Sequence, residues 1–198
     1  MIAIIKYNGG NTASVKNALD RLGCESEITD NHETILAADR VIFPGVGEAS
    51  STMRYLRSRN MDKLIVGLRQ PTLGICLGLQ LMCRTSEEGA AETAAETRCL
   101  GIFDTKVRLF PPLDIVPHIG WNNPLNMRSA LFRGIEPGAD FYFVHSYYAE
   151  PCSETIAEGD YILPFSVALK KDNFYGVQFH PEKSAEAGAI LLQNFLSL

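Results

Sequence analysis

Thr72-Leu73-Gly74-Ile75-Cys76-Leu77-Gly78-Leu79-Gln80-Leu81-Met82, or TLGICLGLQLM, sets one cysteine between two glycines. A short apolar run, Thr72–Ile75, reads as a strand before it, and the spacing predicts a helix over Leu77–Arg84 after it. A strand that turns so sharply into a helix leaves no room for large neighbours, and a glycine two residues away on each side meets that demand. Gly74-Ile75-Cys76-Leu77-Gly78 fits G-x-C-x-G, the thiol form of the nucleophile elbow. Such a bend strains the backbone of the cysteine and lifts its sulfur above the sheet. It also places the sulfur at a helix N-terminus, where unpaired amides and the helix dipole favour thiolate. The Leu77 amide would face the same space as a donor to an oxyanion. A lone cysteine is more often a core residue, and Cys24, Cys83, Cys99 and Cys152 keep that reading.

Outward from the elbow, the pattern is strand and helix in alternation. Ile2–Ile5 is a first strand, and Thr12 is a plausible N-cap for a helix over Ala13–Leu22 with Val15, Ala18, Leu19 and Leu22 on one face. Cys24–Ile28 and Val41–Phe43 are further strands. Helical stretches follow through Met53 and Leu56 and over Met61–Leu68. This order predicts an α/β fold with an open, mostly parallel sheet flanked by helices. The second half changes character, with strands over Lys106–Phe110, Phe141–Val144, Phe165–Leu169 and Tyr175–Phe179 and a closing helix over Ala185–Leu196. Ser86–Thr97, rich in Glu and Ala, fits helix or loop. The whole chain, 1–198, reads as one domain.

Composition excludes several classes. The 198 residues are 46% apolar and 21% charged, with a formal net charge of -5 and no basic cluster, which argues against nucleic-acid binding. No run reaches the roughly 18 apolar residues of a membrane span. MIAIIKYNGG lacks the charged and longer apolar segments of a signal peptide. Five scattered cysteines without a C-x-x-C pair speak against a disulfide framework or a zinc site, so a cytoplasmic location without metal or cofactor is expected.

A thiol nucleophile needs a base, and the chain has four histidines. His32 lies in the polar stretch Thr29–Glu33 and reads as a loop residue. His118 and His145 border apolar strands and could be structural. His180 opens His180-Pro181-Glu182 at the end of a strand. Residues two apart in extended backbone point the same way, so Glu182 can orient the imidazole of His180. This is the logic of a catalytic triad. Pro44-Gly45-Val46-Gly47 is either an ordinary turn or a backbone donor that completes an oxyanion hole, and its place at the end of the preceding strand favours the second reading.

With GICLGLQ, YGVQFHPEKS and the PG turn together, the chain resembles the class I, triad-type glutamine amidotransferase domains over essentially its full length. The resemblance implies their flavodoxin-like fold and hydrolysis of the side-chain amide of L-glutamine by Cys76, His180 and Glu182. It implies substrate binding by Gln80, by Glu88 (with Glu87 beside it) on the α-amino group, and by the backbone of His145-Ser146-Tyr147. Among the family's branches, PGVG, Pro117-His118-Ile119-Gly120-Trp121-Asn122, the run Phe141–Tyr148 and Lys183 are similar to the glutaminases of histidine biosynthesis. That branch implies a (β/α)8-barrel cyclase as heterodimeric partner, fed with ammonia that never reaches water. It places Asn11, Trp121, Asn122, Tyr142 and Lys183 toward the interface. From the residues alone, Trp121 is equally a core anchor or an exposed aromatic on a loop. Val46, where glycine would be more permissive, predicts that presenting its amide is strained and that the chain alone is a poor glutaminase.

Rival readings are a glutaminase of pyridoxal phosphate or anthranilate synthesis, a stand-alone cysteine hydrolase, and an oxidation sensor built on the elbow cysteine. The last leaves His180-Pro181-Glu182 and Gln80 without a role.

Overall fold

The computed structural model describes residues 1–89 and 96–198. The first half alternates β1 (Ile2–Ile5), α1 (Thr12–Arg21), β2 (Ser26–Thr29), α2 (His32–Ala37), β3 (Arg40–Gly45), α3 (Ala49–Ser58), α4 (Met61–Val66), β4 (Thr72–Cys76) and α5 (Leu77–Met82). Its strands lie in the order β2-β1-β3-β4, all parallel. Successive side chains of a strand face opposite ways. Accordingly Ile2 and Ile4 pack on one side with Val15 and Leu19 of α1. Ala3 and Ile5 pack on the other with Met53 and Leu56 of α3, Ile65 of α4 and Leu79 of α5. Both faces of β1, β3 and β4 are buried, so these strands are near-continuous apolar runs, whereas the edge strand β2 is not.

The second half comprises β5 (Thr85–Ser86), β6 (Thr97–Arg98), β7 (Lys106–Leu109), β8 (His118–Asn122), β9 (Phe141–His145), β10 (Tyr147–Ala149), β11 (Thr155–Tyr161), β12 (Leu163–Lys171), β13 (Phe174–Val177) and α6 (Ala185–Leu196). β13 returns to lie parallel beside β4, and from it the sheet runs antiparallel through β12, β10 and β7. β8 and β9 form a separate antiparallel ribbon. Leu191, Leu192 and Phe195 of α6 close the core on the α1 side.

Three expectations change. Thr12 is the first residue of α1 rather than its cap, and Asn11 in the cap position makes no side-chain cap bond because its amide is turned to Glu182. The polar stretch around His32 is not a loop: Asn31 accepts from the Thr34 amide and starts α2, whose Ile35 is buried. The segment Pro117–Asn122, read as a loop from its Pro, Gly and Asn, is mostly strand. Its pairing with β9, Trp121 opposite Tyr142 and Ile119 opposite Val144, overrides that composition. Of Ser86–Thr97, residues 90–95 lie outside the described residues.

Candidate active site

The elbow forms as the glycines require. Cys76 ends β4 with φ 54° and ψ -110°, a left-handed backbone that side chains adopt only under constraint. The constraint is close packing between α5 and β3. A Cβ on Gly78 would overlap the Phe43 carbonyl oxygen, and one on Gly74 would come within 2.9 Å of the Gly78 backbone. The Leu77 amide is the first of α5 and has no carbonyl of its own helix to bond.

Register places the other parts. Gly45 pairs with Cys76 across β3 and β4, so Val46 and Gly47 leave the sheet beside the sulfur. On the other flank Val177 pairs with Ile75, which brings Gln178, Phe179 and His180 to the same end. Cys76 therefore sits between the Val46-Gly47 turn and His180. Tyr7 lies beneath that turn: its hydroxyl donates to the Pro44 carbonyl at 2.8 Å. Burial and the nearby Cys76 push the Tyr7 pKa up.

His180 Nδ1 lies 2.8 Å from Glu182 Oε1, both side chains being buried. The route differs from the expected one. Pro181–Lys183 form a 3-10 turn capped by His180, and the turn rather than extended backbone swings the carboxylate round. An ionised carboxylate only accepts, so Nδ1 carries the proton and Nε2 faces away, unpartnered among the described residues. Burial alone would lower the imidazole pKa; the neighbouring Cys76 and the hydrogen bond with Glu182 outweigh it and raise the value to about 10. Two further contacts escaped the sequence reading. Asn11 donates to Glu182 Oε1 at 3.2 Å. Ser184 donates to the His180 carbonyl at 2.6 Å and accepts from the Tyr142 amide, while the His180 amide donates to the Tyr142 carbonyl. The signal for Ser184 was present at the end of HPEKS.

A cavity of about 350 Å³ opens over the sulfur. Val46, Gly47, Leu77, Gln80, Glu88, His145, Ser146 and Tyr147 line it with Cys76 and His180; Gly45 stays in the strand, out of the wall. Glu88, not Glu87, faces this space. Glu87 is drawn off to Arg108 at 2.7 Å and to the Leu109 amide. Burial and the neighbouring Glu48 raise the Glu88 pKa against the Ala49 amide, which donates to it. Gln80 has its amide nitrogen committed to the Tyr147 carbonyl at 2.8 Å and to Gln178 at 3.0 Å, so only its carbonyl oxygen is left for a ligand. A larger cavity of about 620 Å³ lies by α3 and α4, but its cysteine, Cys99, bonds the Thr97 carbonyl and is pushed up to about 12 by burial. It has no base.

His118 and His145 form the buried pair that apolar surroundings suggested. His145 Nδ1 donates to the Tyr147 carbonyl at 2.8 Å, which leaves its Nε2 to accept from His118 Nδ1 at 3.1 Å. Burial lowers His118 to about 4 and His145 to about 3. On the outer side of the same ribbon Trp121, 55% exposed, meets Tyr142 edge-on at 5.9 Å, and Lys183 lies 5.8 Å from that tyrosine's ring. Asn122 is next in the strand, donating to the Asp160 carbonyl. Trp121, Tyr142 and Lys183 share one surface, Asn122 faces the other side of the strand, and Asn11 reaches Glu182 from the start of α1.

The family model for class-I glutamine amidotransferases matches residues 3–198. Imidazole glycerol phosphate synthase subunit HisH of Bacteroides fragilis is 56% identical over 200 residues, covering all of this chain and 99% of the relative. The subunit of the same name from Vibrio cholerae is 45% identical, covering all of this chain and 98% of that one. Among solved structures, a glutamine amidotransferase superposes with a TM-score of 0.73 at 17% identity, covering 100% of this chain and 98% of that one. PurLQS from Thermotoga maritima follows with a TM-score of 0.71 at 14% identity, covering 99% and 97%.

Proposed function

The chain belongs to the class I glutamine amidotransferases, and from that premise we propose that it is the glutaminase subunit of an imidazole glycerol phosphate synthase. It acts as one domain over 1–198, in the cytoplasm, in a one-to-one heterodimer with a (β/α)8-barrel cyclase. It hydrolyses L-glutamine to glutamate and ammonia, and the cyclase uses the ammonia to make imidazole glycerol phosphate and AICAR in histidine biosynthesis. No helix among the described residues is long and apolar enough to cross a membrane.

The observation that carries the chemistry is the alignment of three strand ends, which sets Cys76 between the Val46-Gly47 turn and His180. Cys76 attacks the side-chain amide carbon. The oxyanion takes hydrogen bonds from the Leu77 amide and the Val46-Gly47 turn, each donor supplying about 3 kcal/mol of transition-state stabilisation. His180 protonates the departing nitrogen, and Glu182 steadies the imidazolium. Water then attacks the γ-glutamyl thioester and releases glutamate. Glu88 faces the α-amino group and the His145–Tyr147 backbone the α-carboxylate. The Trp121, Tyr142 and Lys183 surface docks the cyclase.

The Tyr7 hydrogen bond to the Pro44 carbonyl, which holds the turn from below, supports the strained-turn reading. With the turn held there, the chain alone is a slow glutaminase until the cyclase and its nucleotide ligand reset it. Equal rates with and without the partner would refute this. For the assignment as a whole, the chain is copurified with a cyclase and assayed for ring formation. Cys76→Ala abolishes glutamine use and leaves activity with added ammonia intact; loss of both, or survival of glutamine use, sinks the reading.

A further inference from the structure

We infer that Gln178 is a further catalytic residue, whose side-chain N–H donates to the Cys76 sulfur and holds it as thiolate. Val177 is the last residue of β13 and pairs with Ile75, so Gln178 leaves the sheet alongside the nucleophile. It is fully buried, and its Nε2 lies 3.7 Å from Cys76 Sγ. The orientation of this amide follows from its neighbours. The Tyr147 carbonyl only accepts, so the Gln80 group 2.8 Å from it is NH2. That same NH2 lies 3.0 Å from Gln178, and the atom it meets is therefore the Gln178 oxygen. The nitrogen is left for the sulfur. Three groups in series thus aim one donor at the nucleophile.

The sulfur needs such a donor. Besides His180, the Val144 carbonyl lies 3.9 Å from the sulfur, and it accepts from a thiol and repels a thiolate. α5 spans six residues, so its dipole is short. The inference rests on Cys76 being the nucleophile proposed above. Deacylation uses the same contact: water adds to the thioester carbon, the C–S bond breaks with its electron pair going to sulfur, and the water proton passes to His180. Gln178 then receives the re-formed thiolate.

The test reads the thiol itself, without turnover. In the full chain, alkylation of Cys76 by iodoacetamide is followed across pH by mass spectrometry of its peptide, for the natural protein, Gln178→Met and Gln178→Glu. Gln178→Met, similar in size but without a donor, moves the alkylation midpoint up by about one pH unit. That is about tenfold slower reaction at neutral pH with the alkaline plateau unchanged. Gln178→Glu moves it further, since a carboxylate repels the thiolate. Activity lost with an unmoved midpoint would make Gln178 merely structural and overturn the inference. If either variant fails to fold, the side-chain 15N signal of Gln178 in the natural protein is followed instead. It shifts with ionisation of Cys76 and stops shifting in Cys76→Ala; a signal indifferent to the thiol also overturns the inference. Should Cys76→Ala keep glutaminase activity, the proposed function fails, while the alkylation midpoint still reports on Gln178.

Discussion

Two buried histidine sites of this chain ionise in opposite directions. In the β8–β9 ribbon, His118 and His145 see aromatic rings, each other and a carbonyl, and burial drives both to stay neutral, near 4 and 3. At the end of β13, His180 is as buried, yet Cys76 and Glu182 raise it to about 10. Burial alone therefore does not settle the charge of an imidazole; the presence of an anionic partner does. The first site uses neutral rings as fixed hydrogen-bond links, and the second holds its imidazole protonated.

Removing the anion from the second site tests that contrast most severely. Glu182→Gln lowers the glutamine-dependent kcat by about 10²–10⁴-fold, because the imidazolium loses its stabilising charge. Its imidazole titration, read by NMR, moves down toward 6.5, and an unmoved titration would contradict the role given to Glu182. Breaking the neutral site has a different signature. His145→Phe leaves the His118 Nδ1–H without an acceptor in the core and costs about 1–3 kcal/mol in urea unfolding.

The pH dependence of stability separates the two sites by sign. Folded His145 does not bind a proton until about pH 3, whereas an unfolded histidine binds one below about 6.5. Stability therefore falls as pH drops through that window, by up to about 1.4 kcal/mol per pH unit for this residue. His180 acts oppositely: its raised pKa contributes stability that is complete below about 6.5 and is lost as pH rises toward 10. In Cys76→Ala the alkaline loss shrinks and the acid loss stays. Urea midpoints across pH read both limbs, and an alkaline loss as large in Cys76→Ala as in the natural protein would contradict the part given to Cys76. The smallest effect belongs to the turn beside the triad. Tyr7→Phe removes one hydrogen bond, about 1 kcal/mol, and raises the partner-free glutaminase rate about fivefold by freeing the Val46 turn.

Much of this was legible in the chain. The elbow was readable because its glycines answer a steric demand between neighbours in sequence, and HPEKS carried base, orienter and clamp within five positions. α2 was missed because one cap bond and one buried isoleucine outweigh a polar composition. The ribbon was missed because β8 becomes a strand only when β9 pairs with it.

Local sequence determined the alternation of strand and helix, the strained cysteine and the pairing of His180 with Glu182, since each depends on residues a few positions apart. Tertiary structure alone decided that Gln178 meets Cys76, that Asn11 meets Glu182, that Tyr7 holds the Pro44 turn and that Glu88 rather than Glu87 faces the cavity. Those contacts join residues brought together by sheet order and register, which a linear pattern of residue types does not encode position by position.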